Sequence, residues 1–497
     1  MRRLAVMLLS LMCLGLAGCS NPSAGAGGVL RVGLAQMPMT LDPRYATDAA
    51  STRVQELVHR GLIKLDDHFQ PEGDLAESWQ HPEPLVWRFH LHAGIHFQDG
   101  SPLTAHDVAA TLRAIMNPVL ASPLRAGFAA IDHVEAQGDD VVLFLNKPDA
   151  SLLTRLNLGI LPAKLAGKPQ QARQIIGCGP YRLQSWQGNT LTLSRVAAAG
   201  VPTIRFEGVK DPVTRVLKLV RGELDFTQND LPPHLLSYLN RQKNLTVVTE
   251  PSTTFAYLGL NLQDEHLRDL RVRRALALAV DRTKLKRAML GNLPILAGTV
   301  LTPSHWAAVK LPLTPFDPAE AERLLDAAGF PRGPDGIRFT LSFRTSTDPT
   351  RLDIATAIAA MWQRVGIAVK VESLEWGGFY ARIKQGDFQV FSLSWVGITD
   401  PDIYRLILHS SMWPPKGANR GRYANPQVDH WLDEAAATSD QAQRKVLYAR
   451  VEERMYADMV YIPLWFEPVI SVTGSRISGF RPRPDGSLRG LQFVTLQ

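Results

Sequence analysis

The stretch RFTLSFRTSTDPTRLDIATAIAAMWQRVGIAVKVES, residues 338–373, decides the fold class. RFTLSF, residues 338–343, has the apolar and polar alternation of a strand with one face buried. TRLDIATAIAAMWQRVG, residues 350–366, carries the helical period and stops at Gly366, and IAVKVES, residues 367–373, returns to alternation. FQVFSLSW, residues 388–395, adds a strand that runs directly into VGITDPDIY, residues 396–404. Strand, helix and strand in turn is the rhythm of an open, largely parallel sheet, because parallel neighbours need a crossover connection between them. Such sheets meet their ligands beyond the carboxyl ends of strands, and residues 394–402 hold that kind of position.

The same alternation extends outward. VLRVGLA, residues 29–35, reads as a strand, and STRVQELVHR opens a helix with Ser51 as its expected N-cap. In LVWRFHLHAGIHFQDGSPLTAHDVAATLRAI, residues 85–115, Trp87, Phe89 and Leu91 alternate with Val86, Arg88 and His90. The turn QDGS follows, a second strand is expected after it, and Thr104 with Asp107 forms a capping box at a helix start. VVLFLN, residues 141–146, and the hairpin YRLQSW and TLTLSRV around Gln187, Gly188 and Asn189 add more sheet. Three helix starts share one device. Asp211-Pro212 and Asp317-Pro318 put an aspartate at the N-cap and a proline at the first helical position, where its missing N–H is no loss, and Asp281 caps TKLKRAML.

The chain has 497 residues, 45% of them hydrophobic and 20% charged, so it can bury a large core, and its length calls for two or three lobes. The formal charge of +7 is spread thinly; no run of five or more Lys or Arg marks a nucleic-acid tail, and no nucleic-acid partner is expected. Arg2 and Arg3 precede the apolar run LAVMLLSLMCLGLA, residues 4–17, which has the length of a secretory signal and is too short for a membrane span. The run ends in LAGC, residues 16–19, which resembles the bacterial lipobox. Residues 1–18 are thus the expected signal peptide, Cys19 the lipidated first residue of the mature chain, and residues 19–28 a flexible tether. Two or three acyl chains anchor stably, since each buried methylene adds about 0.8 kcal/mol. Cys13 leaves with the signal and Cys19 carries lipid, so Cys178 stands alone and no internal disulfide is expected.

Nothing in the sequence assembles a nucleophile, a base and an orienting group. GxxxxGK[ST], HExxH, GxSxG and CxxC do not occur, and Gly25, Gly27 and Gly28 follow a signal segment rather than a strand. Cys178, between two glycines in IGCGPYRL, reads as a small buried residue rather than a nucleophile. His90, His92 and His96 read as half-exposed residues of a strand and turn rather than metal ligands. In DLRVRRALALAVDR, residues 269–282, Arg271, Arg273 and Arg274 read as the charged face opposite Leu276, Ala279 and Val280. No catalytic residue, metal or cofactor is expected.

Five segments then fall into a familiar order: VWRFHLHAGIHFQDGSPLTAHDV (86–108), GCGPYRLQSW (177–186), LGLNLQDEHLRDLRVRRALALAVDR (258–282), FDPAEAERLLDAAGF (316–330) and the strand ending at Trp395. Together they resemble the solute-binding proteins of peptide and nickel ABC importers, the family-five extracellular binding proteins that include the oligopeptide- and dipeptide-binding proteins. The resemblance implies an α/β fold, a two-lobed periplasmic-binding-protein clamshell with an extra small α/β domain on the first lobe. By analogy the first lobe takes residues 29–65, 173–262 and 475–497, the extra domain 66–172, and the second lobe 263–474. It further implies a monomer on the periplasmic side of the cell envelope, anchored by lipid, that captures peptides or a related small solute and delivers it to an ABC permease and ATPase complex.

In peptide-binding members of this family the segment after the strand tryptophan pairs with the ligand backbone like an added strand, and an aspartate three positions on holds the ligand's ammonium. Ser394, Trp395, Val396 and Gly397 occupy the first of these places, but Ile398 stands where the aspartate is kept. Two readings follow. In one, a shortened loop brings Asp400 inward to do the same work on a peptide. In the other, Asp400 and Asp402 belong to a helix start, and the ligand is of another class, such as a modified peptide, an opine, a metal chelate or an oligosaccharide. Tyr257 and Trp465 are candidate aromatic walls. An orphan sensor or peptide-handling lipoprotein without a dedicated permease is the alternative of a different class.

Overall fold

Residues 338–373 form the strand, helix and strand that their pattern predicts. In the computed structural model, which describes residues 28–170, 175–196, 200–231, 233–291 and 293–497, strands Phe339–Ser346 and Ile367–Leu374 pair in parallel throughout, from Phe339 against Ile367 to Ser346 against Leu374. Helix Pro349–Arg364 makes the crossover and buries Ile354, Ala355, Ile358 and Trp362. It begins with a third Asp-Pro start, beyond Asp211-Pro212 and Asp317-Pro318: Asp348 accepts a hydrogen bond from the Arg351 amide at 2.9 Å. Gly366 ends it at φ +87°, the left-handed conformation that glycine takes without strain. The signal segment, Cys13 and Cys19 lie outside the described residues.

One eleven-stranded sheet runs through the molecule. Across it lie Ile367–Leu374, Phe339–Ser346, Val390–Trp395, Leu245–Leu260, Tyr461–Gly474, Phe226–Gln228, Val29–Leu34, Thr203–Gly208, Thr190–Arg195 and Tyr181–Gln187, with Ile295–Leu296 paired off this path to Tyr461–Gly474. Its centre is the antiparallel pair Leu245–Leu260 and Tyr461–Gly474. At about 3.3 Å per residue, the first of these is on the order of 50 Å long, enough to cross two lobes. Their ladder extends from Leu245 against Gly474 to Gly259 against Tyr461, with a register shift between Pro251 and Thr254. On one side of that shift the pair meets Phe226–Gln228, through Phe226 against Thr473; on the other it meets Val390–Trp395, through Phe255 against Trp395. Each half has its own core, with Leu30, Val32, Ile204 and Phe206 in one and Leu258, Val272, Leu341, Ile358 and Trp362 in the other.

A separate four-stranded antiparallel sheet, Ala76–Glu83, Val86–Leu91, Asp140–Leu145 and Ile131–Gln137, is packed by helix Ala105–Met116. Trp87, Phe89 and Leu91 point into its core with Leu112, Ile115, Val141 and Leu143, as the alternation requires. The capping box forms: the Asp107 carboxylate accepts from the Thr104 amide at 2.8 Å. Cys178 is a free, buried thiol of the same core. Its flanking glycines are obligatory, since a Cβ on Gly177 would stand 1.9 Å from the Val58 carbonyl oxygen and one on Gly179 2.6 Å from the Val58 carbonyl carbon.

Three local expectations are corrected. Ser51 is not an N-cap but a first-turn residue of helix Ala49–Gln55; Asp48 caps it and accepts from the Ser51 amide at 2.8 Å. After QDGS an isolated bridge, His96 to Pro102, replaces the expected strand. Arg273 is not on a solvated face. It is buried and donates to the carbonyls of Leu267 (2.8 Å), Arg268 (2.9 Å) and Asp458 (2.6 Å), clamping its helix to a segment far along the chain. Arg271, by contrast, stays at the surface paired with Asp269.

Candidate ligand-binding cleft

Strand Val390–Trp395 alternates its contacts at the end that matters. Phe391 and Leu393 are buried in a core with Tyr257 and Phe255, while Ser394 and Trp395 are half-buried. The Trp395 ring lies parallel to that of Tyr257, 6.4 Å between centroids. The Arg420 guanidinium sits 4.6 Å over Trp395 and donates to the Tyr257 hydroxyl at 3.0 Å, which fixes both rings. The chain then leaves the sheet. Val396 is 67% exposed, and Gly397 turns at φ +70° with open space where a side chain would be. Among the described residues neither Val396 nor Gly397 makes a backbone hydrogen bond, so their amides and carbonyls are available.

Two cavities flank this strip. One, of about 570 Å³, lies at the crossing of the long strands and is lined by Val396, Thr254, Glu467, Arg351, Arg53 and Asp230, among others. The other, of about 770 Å³, is lined by Gly397, Asp400 and Asp402 on one side and by Ala126, Asp149 and Arg155, from the segment beside the four-stranded sheet, on the other. Both have the size of small-molecule sites. In the first, Arg351 pairs with Glu467 at 2.5 Å, and the Ser394 hydroxyl donates to Glu467 at 3.0 Å.

Ile398 is buried in the core and stands in the wall of the second cavity, so the position where the resembling family keeps its aspartate presents an apolar group there. Asp400 is close-packed with donors. One carboxylate oxygen accepts from the Ser151 hydroxyl (2.9 Å) and the Asp402 amide (2.7 Å), the other from the Thr154 hydroxyl (2.9 Å). Arg444 stands 3.7 Å away and itself donates to Ser151 at 2.9 Å. Ser151 and Thr154 are buried residues of the segment that packs on the four-stranded sheet. Asp400 therefore joins that segment to the strand end. Asp402 stands at the N-cap of helix Ile403–Leu408, but its side chain makes no cap bond. Burial beside Asp400 pushes its carboxyl up to about 7.

Tyr257 and Trp465 are both fully buried in the sheet's interior, Tyr257 stacked on Tyr461 and Trp465 in the core with Leu464 and Ile462. Neither presents a face to the cleft. Sequence reasoning missed Ser151, Thr154 and Arg444. Ser151 and Thr154 carry no local signal. Arg444 does: with Tyr448 and Glu452 it forms an i, i+4, i+8 row of polar residues that helix Gln441–Ala457 buries. Burial holds Glu452 at about 8 and raises the Cys178 thiol to about 11, which leaves that thiol unreactive at neutral pH. His90 pairs with Asp140 at 2.8 Å, and among the described residues no group of three or more His, Cys, Asp or Glu could hold a metal ion.

Two halves sharing one sheet, with an open strand end between cavities at their junction, define a two-lobed binding protein of the periplasmic type. Comparison with known proteins is specific. Residues 70–413 match the family described as "Bacterial extracellular solute-binding proteins, family 5 Middle", and the chain belongs to that family. It is 28% identical over 471 residues to the glutathione-binding protein GsiB of Pectobacterium atrosepticum, covering 90% of each chain. To the oligopeptide-binding protein AppA of Bacillus subtilis it is 25% identical over 538 residues, covering 99% of this chain and 98% of that one. The AppA structure with a nonapeptide superposes with a TM-score of 0.77, covering 95% of this chain and 99% of that one at 24% identity. Campylobacter jejuni NikZ, solved with Ni(L-His), has a TM-score of 0.79, 25% identity and coverage of 94% and 99%. The chain is thus an extracytoplasmic solute-binding protein of an ABC importer, a non-enzymatic component that works with the transporter.

Proposed function

We propose that this protein captures a peptide or a peptide-derived small solute against the backbone of Ser394, Trp395, Val396 and Gly397, and presents it to a membrane permease. The observation that carries the reading is the free backbone of Val396 and Gly397 between two cavities. Main-chain hydrogen bonds hold an extended ligand without reading its side chains. The names of the relatives, oligopeptide-binding and glutathione-binding, favour peptides over the chelate seen in NikZ.

In this reading Asp400 serves closure rather than the ligand's ammonium. It is the latch by which the domain of residues 66–172 docks on the second lobe, and the lobes swing about Pro251–Thr254 and the facing Glu467–Pro468, where the ladder shifts register. Ligand stabilises the closed form because it touches both sides of the cleft only there. The chain works as a monomer, tethered through lipid on Cys19.

Mass spectrometry of whatever co-purifies with the protein, released by denaturation, tests the ligand class. A peptide or peptide-derived compound is expected; a sugar or a metal chelate sinks the reading. Replacement of Cys19 by Ser is expected to move the protein from the membrane fraction to the soluble one, and its retention in the membrane would remove the lipid anchor.

A further inference from the structure

We infer that a third cavity, at the seam between the four-stranded sheet and helix Gln441–Ala457, is a binding site for a small carboxylate with an apolar body, separate from the capture cleft. The cavity has about 220 Å³; it shares only Thr154 with the second cavity and no residue with the first. Trp79 and Trp87 wall it from the sheet, and Trp306, Ser439, Gln441 and Arg444 from the far side. An apolar cavity of about 150 Å³ takes a benzene ring, so this one has room for a ring and a carboxylate.

Its polar groups set the charge of the occupant. Among the described residues no Asp or Glu lines the cavity, and Arg444 is the one charged residue that does. Arg444 is only 7% exposed. Its Nη2 is taken, since it donates to the Ser151 hydroxyl at 2.9 Å and stands 3.7 Å from Asp400. Its Nη1 makes no hydrogen bond among the described residues and, unlike the sealed Nε, keeps access to the cavity. A buried cation with an unmatched N–H calls for an acceptor, and a carboxylate supplies one together with the opposite charge.

The start of helix Gln441–Ala457 acts in the same direction. Asp440 takes the Ala442 and Gln443 amides at 2.8 and 3.1 Å, which leaves the Gln441 amide as an orphan donor of the first turn, at the positive end of the helix. The rings set the rest of the ligand. The Arg444 guanidinium lies 5.6 Å from the Trp306 ring centre, and half-buried Trp79 and Trp306 offer apolar surface to the ligand's body. Aromatic walls alone would suit an organic cation, but the guanidinium among them repels one. The occupant touches the sheet on one side and the helix on the other, beside the contact of Thr154 with Asp400, so it stabilises the docked arrangement of the two.

The test uses the mature chain and follows its tryptophan fluorescence, since three of its ten tryptophans line the site. Benzoate and propionate are titrated beside their neutral amides, benzamide and propionamide. At least one carboxylate is expected to change the emission saturably and to bind about tenfold or more tighter than its amide. Gln441→Glu sets a like charge at the mouth while suiting a helix start; it is expected to melt no lower than wild type and to weaken the carboxylate about tenfold. Filling the capture cleft with the solute recovered from the purified protein is expected to leave the carboxylate in place. No saturable change with either carboxylate, equal binding of acid and amide, or full affinity in Gln441→Glu overturns the site. Displacement of the carboxylate by the solute puts the anion in the capture cleft and overturns a separate site.

Discussion

The two edges of the cleft are joined by different physics. At the hinge edge the chain passes twice between the halves inside one ladder, Leu245–Leu260 against Tyr461–Gly474, broken only by register shifts. At the latch edge no strand crosses. There the Asp400 carboxylate meets Ser151 and Thr154, the Ala150 amide donates to the Ala436 carbonyl at 3.1 Å, and the Phe69 and His305 rings stack at 5.7 Å. A ladder can bend but cannot part, because every strand hydrogen bond would be lost together. A handful of polar contacts, each worth about 0.5–1.5 kcal/mol net and somewhat more where charged, can part. In the proposed closure, the hinge edge would set where the lobes turn, and these few contacts would set how readily.

The strongest way to break this comparison is Asp400→Ala. It removes the acceptor of Ser151 and Thr154 and leaves the buried Arg444 without its carboxylate. Stranding one partner of a buried ionic contact costs about 3 kcal/mol. The ligand-free variant is expected to scatter X-rays as a more open particle and to bind solute more than tenfold more weakly. Weak binding with an unchanged scattering profile would instead make Asp400 a direct ligand contact, and no change in either would leave it a local turn residue.

Glu452→Gln sharpens the comparison, because the latch edge carries a charge burden beneath it. Glu452 lies two turns beyond Arg444 on the same helix, is buried, and accepts from the Val309 amide at 3.2 Å. Burial raises its carboxyl from the ordinary 4.5 to about 8. A raised carboxyl contributes stability in full below its unfolded value and loses it as pH climbs through the folded one. The wild type should therefore lose stability between about pH 4.5 and pH 8 on this account, while the uncharged amide should not. The variant is expected to be more stable than wild type at pH 8, by up to about 4 kcal/mol, and to match it near pH 4.5. A melting difference that does not depend on pH would show that Glu452 is not titrating there.

How much of this was legible in the sequence depends on how local each cause is. The strand, helix and strand of 338–373, the Asp-Pro helix starts and the Thr104–Asp107 box could be read directly, since each is decided within a few residues. Arg273 was misread because the carbonyls that bury it include that of Asp458, 185 positions away. Asp400 could be placed at a strand end, but its partners Ser151 and Thr154 stand 249 and 246 positions earlier, and nothing near them announces the meeting. Tyr257 and Trp465 were candidate walls because both are aromatic. They are core because the strands that carry them lie at the centre of the sheet, with neighbours on both sides. The membership of the second cavity follows from the docking of two segments and was not readable at all.

The smallest effect is expected at the hinge edge. Arg351 and Glu467 pair at 2.5 Å beside the crossing of the long strands, with side chains 29% and 28% exposed. Solvent screens such a pair, and its worth is about 0.5–1 kcal/mol. Glu467→Gln keeps an oxygen for the Ser394 hydroxyl, now held at 3.0 Å, and removes only the charge. Because the ladder rather than this pair holds the crossing together, the variant should melt slightly lower, scatter as wild type does, and bind solute within about threefold of wild type. Calorimetry with the solute recovered from the purified protein measures this. A loss as large as that of Asp400→Ala would mean that the pair clamps the ligand, and that the hinge edge, like the latch edge, takes part in holding the cleft shut.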